Sequence, residues 1–194
     1  MINTEDVIAF FNKCAPSWDA EMKRDDAVID TILDNAGVRS GVRVLDIACG
    51  TGVLVPDYIR RGAKCVVSVD ISPAMIEIAS SKFRSKDVSF VCADAQTGYF
   101  GNDFDCVVIY NAFPHFSDVD RLLENLCSML KKGGILTVAH GMSRDKVNSH
   151  HTGTAAAVSN GLMSAEDLAL SFGKHLEVTT IISDDRMYQV CGKK

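Results

Sequence analysis

Short apolar runs alternate with amphipathic stretches along this chain. VRVLDIA (42–48), CVVSVDI (65–71), VSFVCA (88–93) and FDCVVIYN (104–111) are continuous apolar runs rich in β-branched residues, each too short for a helix. Such runs suit strands covered on both faces, the condition of a parallel sheet. Between them, VLVPDYIRRG (53–62) and SPAMIEIASSKF (72–83) predict helices, the second with Ser72 as N-cap and Pro73 at the first helical position. Two more helices are predicted ahead of the first strand: NTEDVIAFFNKCA (3–15), with acids in its first turn, and DDAVIDTILDNAG (25–37), stopped by Gly37.

Beyond the fourth run, SDVDRLLENLCSMLKKGG (117–134) predicts one amphipathic helix, with acids at its start, Lys131 and Lys132 at its end and a glycine stop, leading into the strand ILTVAHG (135–141). The tail gives a helix SAEDLALSFG (164–173), a strand LEVTTIIS (176–183), a turn at Asp184 and Asp185, and a strand RMYQVCGK (186–193). A strand–helix alternation closed by a hairpin predicts an α/β fold. The expected form is a doubly wound, mostly parallel seven-stranded sheet with helices on both faces, an antiparallel last strand and an N-terminal helical cap. At 194 residues without repeats or a linker, a single domain over 1–194 is expected, with cap helices in 1–36 and a lid at 141–163.

Composition narrows the partners. A formal net charge of -5 without a long Lys or Arg run offers no footprint for nucleic acid or an anionic membrane surface. The N-terminus is acidic where a secretory leader is basic, and no apolar run approaches the ~20 residues of a bilayer span, so a cytoplasmic protein is expected. The seven cysteines are odd in number and include no CxxC pair, which suggests neither a disulfide framework nor a zinc knuckle. Cys65, Cys92 and Cys106 lie in apolar runs and read as small buried hydrophobes.

The first strand ends in Asp46, Ile47, Ala48, Cys49, Gly50, Thr51 and Gly52. Small residues at a strand-to-helix turn let backbone approach a ligand and aim the free N–H groups of a helix start at it. The acid precedes the glycines and stands on the strand, unlike the dinucleotide pattern GxGxxG. Asp46 would repel a pyrophosphate and suit a ligand bearing an ammonium and a sulfonium, which points to S-adenosyl-L-methionine. Asp70 ends the next strand, at the separation of about 20 residues where an acid accepts ribose hydroxyls. Asp94 ends the third, so three acids share the sheet edge where open α/β folds bind ligands.

From about residue 40 to 192 the chain resembles the class I, Rossmann-like S-adenosylmethionine-dependent methyltransferases. The resemblance implies that the Gly50 and Gly52 loop lies under the methionine part and that Asp70 binds the ribose. It puts Asp94, with Ala95 beside it, at the adenine amino group, Ile71 and Met75 against the ring, and Asn111 nearest the methyl donor. S-adenosyl-L-homocysteine would be the product. Where many members have Gly, this chain has Ala48, as related ubiquinone and menaquinone methyltransferases do. FFNKCAPSWD (10–19) looks like the aromatic cap helix of that group, placing Phe11, Ala15 and Trp18 near the site; Trp18 fits a core anchor equally well.

Four of the five histidines fall after the fourth and fifth strands: His115 in NAFPHF (111–116), and His140, His150 and His151 in the segment 139–163. A ring with an ordinary pKa near 6.5 suits a general base that takes a proton during methyl transfer, and His115 and His140 come first for that role, with His150 behind them. A metal-assisted or thiol and metalloid methyltransferase would use the same cluster as ligands or recruit Cys14, but no HxxxH or CxxC spacing supports it and no metal is assigned. His151, followed by Thr152 and Gly153, suits a helix C-cap. His175 reads as structural. The aromatic cap and the short lid point to a small, partly apolar or aromatic substrate in an enclosed pocket. A module that binds S-adenosylmethionine without turning it over is the alternative outside catalysis. The oligomeric state has no signal in the sequence.

Overall fold

Period-two alternation along each central strand sends successive side chains to opposite faces of a sheet. The computed structural model describes residues 2–150 and 153–194, the side chains of 150 and 153–155 apart. Its strands are β1 (Arg43–Ile47), β2 (Cys65–Asp70), β3 (Val88–Cys92), β4 (Phe104–Tyr110), β5 (Leu130–His140), β6 (Glu177–Ser183) and β7 (Tyr188–Lys193). They form one sheet in the order β3-β2-β1-β4-β5-β7-β6. β7 runs antiparallel to both β5 and β6, and the remaining pairings are parallel. This is the expected doubly wound sheet with its last strand reversed. Its strand order turns around between β1 and β4, where the crevice of such sheets opens.

The helices are α1 (Thr4–Cys14), α2 (Trp18–Glu21), α3 (Asp26–Asn35), α4 (Val55–Arg60), α5 (Pro73–Lys82), α6 (Val119–Met129), α7 (Arg144–His150) and α8 (Ala165–Phe172). Leu45, Ile47, Val107 and Ile109 pack on one face of the sheet with Leu123, Leu126 and Phe172. Val44, Cys106 and Val108, the alternate positions, pack on the other with Ile29, Leu33, Leu54 and Tyr58. Each such side chain contributes about 1.5–3 kcal/mol by leaving water. Both faces of the centre are therefore buried, which explains the continuous apolar runs. Away from the centre the reasoning fails: Cys92 is exposed at the end of β3, and Cys65, the first residue of β2, is only half-buried. β3 is an edge strand with none of its side chains fully buried.

The boundary after α6 also differs from expectation. The helix stops at Met129, and Leu130, Lys131, Lys132 and both glycines belong to β5. Leu130, 3% exposed, pairs with Phe104; the register then shifts before Cys106 pairs with Ile135. Gly133, at φ +79°, accommodates that irregularity. Lys131 lies in an ion pair with Asp105, whose carboxylate accepts from the Arg43 N–H at 2.7 Å. Lys131, which looked like part of a helix terminus, thus ties β5 to β4 and, through Asp105, to β1.

Three polar latches hold the N-terminal segment to the body. Asn12 Oδ1 accepts from the Ser72 hydroxyl at 2.7 Å and the Ala74 N–H at 3.2 Å. Asp19 accepts from Thr51 at 2.5 Å and from Lys82 at 2.6 Å. Arg24 donates to the Val53 carbonyl at 2.5 Å and pairs with Asp57 at 2.8 Å. Among the described residues, no helix is long and apolar enough to cross a membrane.

Candidate active site

β1 ends one residue before a turn that bends three times through the left-handed region: Ala48 at φ +54°, Gly50 at +55° and Gly52 at +86°. Glycine adopts that region freely, whereas Ala48 carries a cost of about 1–2 kcal/mol there. Asp70, at the end of β2, holds the turn in place. Its Oδ2 accepts from the Gly50 N–H and its Oδ1 from the Ser72 N–H, both at 2.8 Å. Ser72 in turn caps α5 by accepting from the Met75 N–H at 3.2 Å. One carboxylate therefore organises both ligand-facing turns.

A cavity of about 650 Å³ opens along this edge. Asp46, Ala48, Cys49, Gly50, Asp70, Ile71, Met75, Asp94, Ala95 and Asn111 line one part of it. Phe10, Phe11, Cys14, Trp18, Arg24, Tyr110, His115, Phe116, His140, Met142 and Val147 line the rest. All the anticipated cofactor positions but one converge there. Gly52 does not line the cavity: a Cβ on it would lie 2.6 Å from Phe83 Cε2, so its glycine is required by packing and by its φ. Ala15, buried at 2%, does not line it either.

The electrostatics of the floor follow from burial. Asp46 is 2% exposed and accepts from the Tyr58 hydroxyl at 3.2 Å and the Ser68 hydroxyl at 3.3 Å. Loss of water, opposed by those two hydroxyls and reinforced by nearby Asp70, pushes its carboxyl up to about 7. Burial also raises Asp70, against the N–H groups of Ser72, Gly50 and Ile71. The Cys49 thiol is pushed well up by burial and by the two carboxylates, and burial raises Cys14 as well, so both persist as thiols.

The histidines divide. His115 Nδ1 lies 2.7 Å from the Val158 carbonyl, and its ring meets Phe11 edge-on at 4.9 Å. His140, 3% exposed, packs edge-on against Tyr188 at 6.0 Å. The His150 side chain lies outside the described residues, as do His151 and Thr152. Asn111, at φ +54°, ties the ends of β4 and β5 together: its N–H donates to the Ala139 carbonyl and its Oδ1 accepts from the Gly141 N–H, both at 2.9 Å. Among the described residues, no three His, Cys, Asp or Glu side chains gather to hold a metal ion. Arg24 and Tyr110 line the cavity without having been anticipated, whereas Phe10 belongs to the aromatic pair of the cap. Arg24 follows Lys23 in a linker with no periodicity, and its partner Asp57 is 33 residues away.

Comparison with known proteins gives the same assignment. The methyltransferase-domain family matches residues 44–134. Residues 44–134 thus carry a methyltransferase domain. The chain is 30% identical over 139 residues to the malonyl-[acyl-carrier protein] O-methyltransferase of Acetivibrio thermocellus, across 70% of this chain and 49% of that protein. It is 39% identical over 109 residues to the ubiquinone/menaquinone biosynthesis C-methyltransferase of Idiomarina loihiensis, across 53% of this chain and 43% of the relative. The chain thus spans about half the length of the curated relatives it matches. In fold it is similar to the N-methyltransferase NodS of Bradyrhizobium japonicum, solved with S-adenosyl-l-homocysteine, with a TM-score of 0.75, 14% identity and coverage of 99% and 98% of the two chains.

The methyltransferase domain's cofactor is S-adenosylmethionine, and the floor suits it. A Cβ on Gly50 would project toward Trp18 and come within 3.7 Å of its Nε1, so the missing side chain leaves a cradle at the turn. Two buried carboxylates stand beside it, and their negative charge matches a sulfonium and an ammonium. A carboxylate has roughly four acceptor positions, so Asp70 retains capacity beyond its backbone bonds.

Proposed function

We propose that this chain methylates a small, partly apolar molecule seated between the acidic floor and the aromatic cap, with a histidine as general base. The observation that carries the reading is the single cavity in which the floor carboxylates and the cap aromatics meet. S-adenosylmethionine supplies, when bound, an activated methyl group on a sulfonium.

What remains for the chain is to bind, orient and exclude water. Asp70 and Asp94 would take the ribose and adenine ends, with Ile71 and Met75 against the ring and Asn111 beside the methyl end. Asp46 would balance positive charge. Phe10, Phe11 and Trp18 would cover the acceptor and remove water from it. His115 would accept the proton of an acceptor that carries one, with His140 the second candidate. Its Nδ1 contact with the Val158 carbonyl orients its ring, a feature that favours it. A thiol-based reading is weaker, because Cys14 and Cys49 line the cavity as protonated thiols.

Calorimetric titration with S-adenosylmethionine and S-adenosylhomocysteine, with and without a chelator, tests the reading. Micromolar binding of both, indifferent to chelation, is expected; no binding under either condition overturns it. Transfer of labelled methyl from bound cofactor into a panel of small phenols, quinols and carboxylic acids then separates an enzyme from a binding module.

A further inference from the structure

We propose that two copies of this chain associate through β6, which pairs antiparallel with itself so that the two sheets become one and the two α8 helices lie side by side. The inference stands apart from the methyltransferase reading, because no β6 residue lines the cavity.

Strand β6, Glu177–Ser183, closes one end of the sheet, and among the described residues no strand lies beyond it. An edge strand presents a row of backbone N–H and carbonyl groups that can pair with another chain, and native edges are commonly blunted by lysine, proline or a covering segment. EVTTIIS (177–183) contains no lysine, proline or glycine, and its one acid stands at the first position. Its five middle residues are all β-branched. The irregularity between Val178 and Thr180 leaves Thr180–Ser183 in unbroken pairing with β7. The opposite edge strand, β3, has five residues against seven, and Asp94 just beyond it lines the cavity.

Apolar side chains at the β6 edge are uncovered. Ile181 pairs with Val190 of β7, whose side chain packs with Leu168 and Phe172 of α8, so Ile181 lies on the α8 face of the sheet. It is nonetheless 49% exposed, and Leu170 of α8 is 73% exposed. α8 packs over both β6 and β7. A two-fold axis normal to the joined sheet keeps α8 and its copy on one face. With strands about 4.8 Å apart, the two helix axes then stand roughly 10 Å apart, the ordinary distance of packed helices.

Charge selects a second copy as the occupant. The segment before β6 carries Lys174 and His175, and the turn after it carries Asp184 and Asp185; all four are exposed. Antiparallel self-pairing sets the basic end of each strand against the acidic end of the other, twice by symmetry. Lys174 otherwise makes a surface pair with Asp120, and Asp184 caps its own turn by accepting from the Arg186 and Met187 N–H groups. Arg186, the base that follows the two acids, is paired with Asp25. An edge-to-edge contact of this kind is small, so association in the micromolar range is expected.

Sedimentation equilibrium from about 1 to 200 µM should show a monomer–dimer equilibrium in the wild-type protein. Ile181→Lys places a charge on the edge and should give a folded monomer whose affinity for S-adenosylmethionine, read by calorimetry, is unchanged. Asp185→Lys should weaken association about tenfold, and adding Lys174→Glu, which reverses the pair, should restore it. A wild-type protein that stays monomeric throughout that range overturns the proposal. A dimer that persists in Ile181→Lys places the contact on another face and overturns it as well, and a double variant that does not recover overturns the antiparallel arrangement. Should Ile181→Lys fail to fold, the loss in Asp185→Lys and its recovery in the double variant decide alone.

Discussion

Asp46 is a carboxylate withdrawn from water at the floor of a cavity that suits a cation. Its carboxyl stands near 7 in the folded protein against an ordinary 3.8, so the folded state holds the proton more tightly than the unfolded one. By linkage, the ligand-free protein loses stability as pH rises from about 4 to about 7, and Asp46→Asn should abolish that part of the slope, by up to a few kcal/mol in urea unfolding. A bound sulfonium favours the ionised form. The thermal shift given by S-adenosylmethionine should therefore grow between about pH 6 and pH 8 in the wild-type protein and be smaller and flatter in Asp46→Asn.

Asp70→Ala should act twice. It removes the acceptor for the Gly50 and Ser72 N–H groups, at a cost of about 1–3 kcal/mol each where they stay buried, and it should reduce cofactor affinity at least tenfold. Calorimetry and urea unfolding on one preparation read both effects. Both glycines should cost stability when replaced, and only Gly50 should also cost binding. Gly50→Val should fail to bind, because a side chain there enters the cradle, and should lose stability, because its φ of +55° strains any L residue. Gly52→Ala should lower stability alone, because its Cβ meets Phe83 and its φ is +86°. The acids and the loop were legible as residue types at strand ends. The packing role of Gly52 was not, since Phe83 stands 31 positions away.

At the scale of elements, the Ser72 cap reads well: it accepts the N–H bond that opens α5. Asn3, Asp25 and Ser164 do the same for α1, α3 and α8. The α6–β5 boundary was misjudged because Lys-Lys-Gly-Gly is a good helix ending locally; pairing of Leu130 with Phe104 and of Lys131 with Asp105 makes it a strand instead. The cap offers a test at this scale. Asn12→Ala removes the bond from α1 to the start of α5 and should raise hydrogen exchange in α1. Cofactor affinity should fall by roughly three- to tenfold, while global stability changes by about 1 kcal/mol or less.

At the scale of the whole molecule, ligand binding and stability are one equilibrium. S-adenosylmethionine at 100 times its Kd should add about 2.7 kcal/mol, or roughly 5–10 °C in melting temperature for a chain of this size. A scan showing no shift at that concentration contradicts a preformed floor. The chain's own pattern determined the order and kind of elements, the parallel centre and reversed end of the sheet, and the acids at the ligand edge. Those follow from periodicity, capping and charge, which act over a few residues. Only the tertiary structure decided that Cys92 is exposed on an edge strand and that Gly52 serves packing. It also decided that Arg24 and Tyr110 join the cavity wall and that His115 is oriented by a carbonyl 43 residues away. Each of these depends on which distant segments meet, and that is settled by burying two apolar faces against one sheet rather than by any local preference.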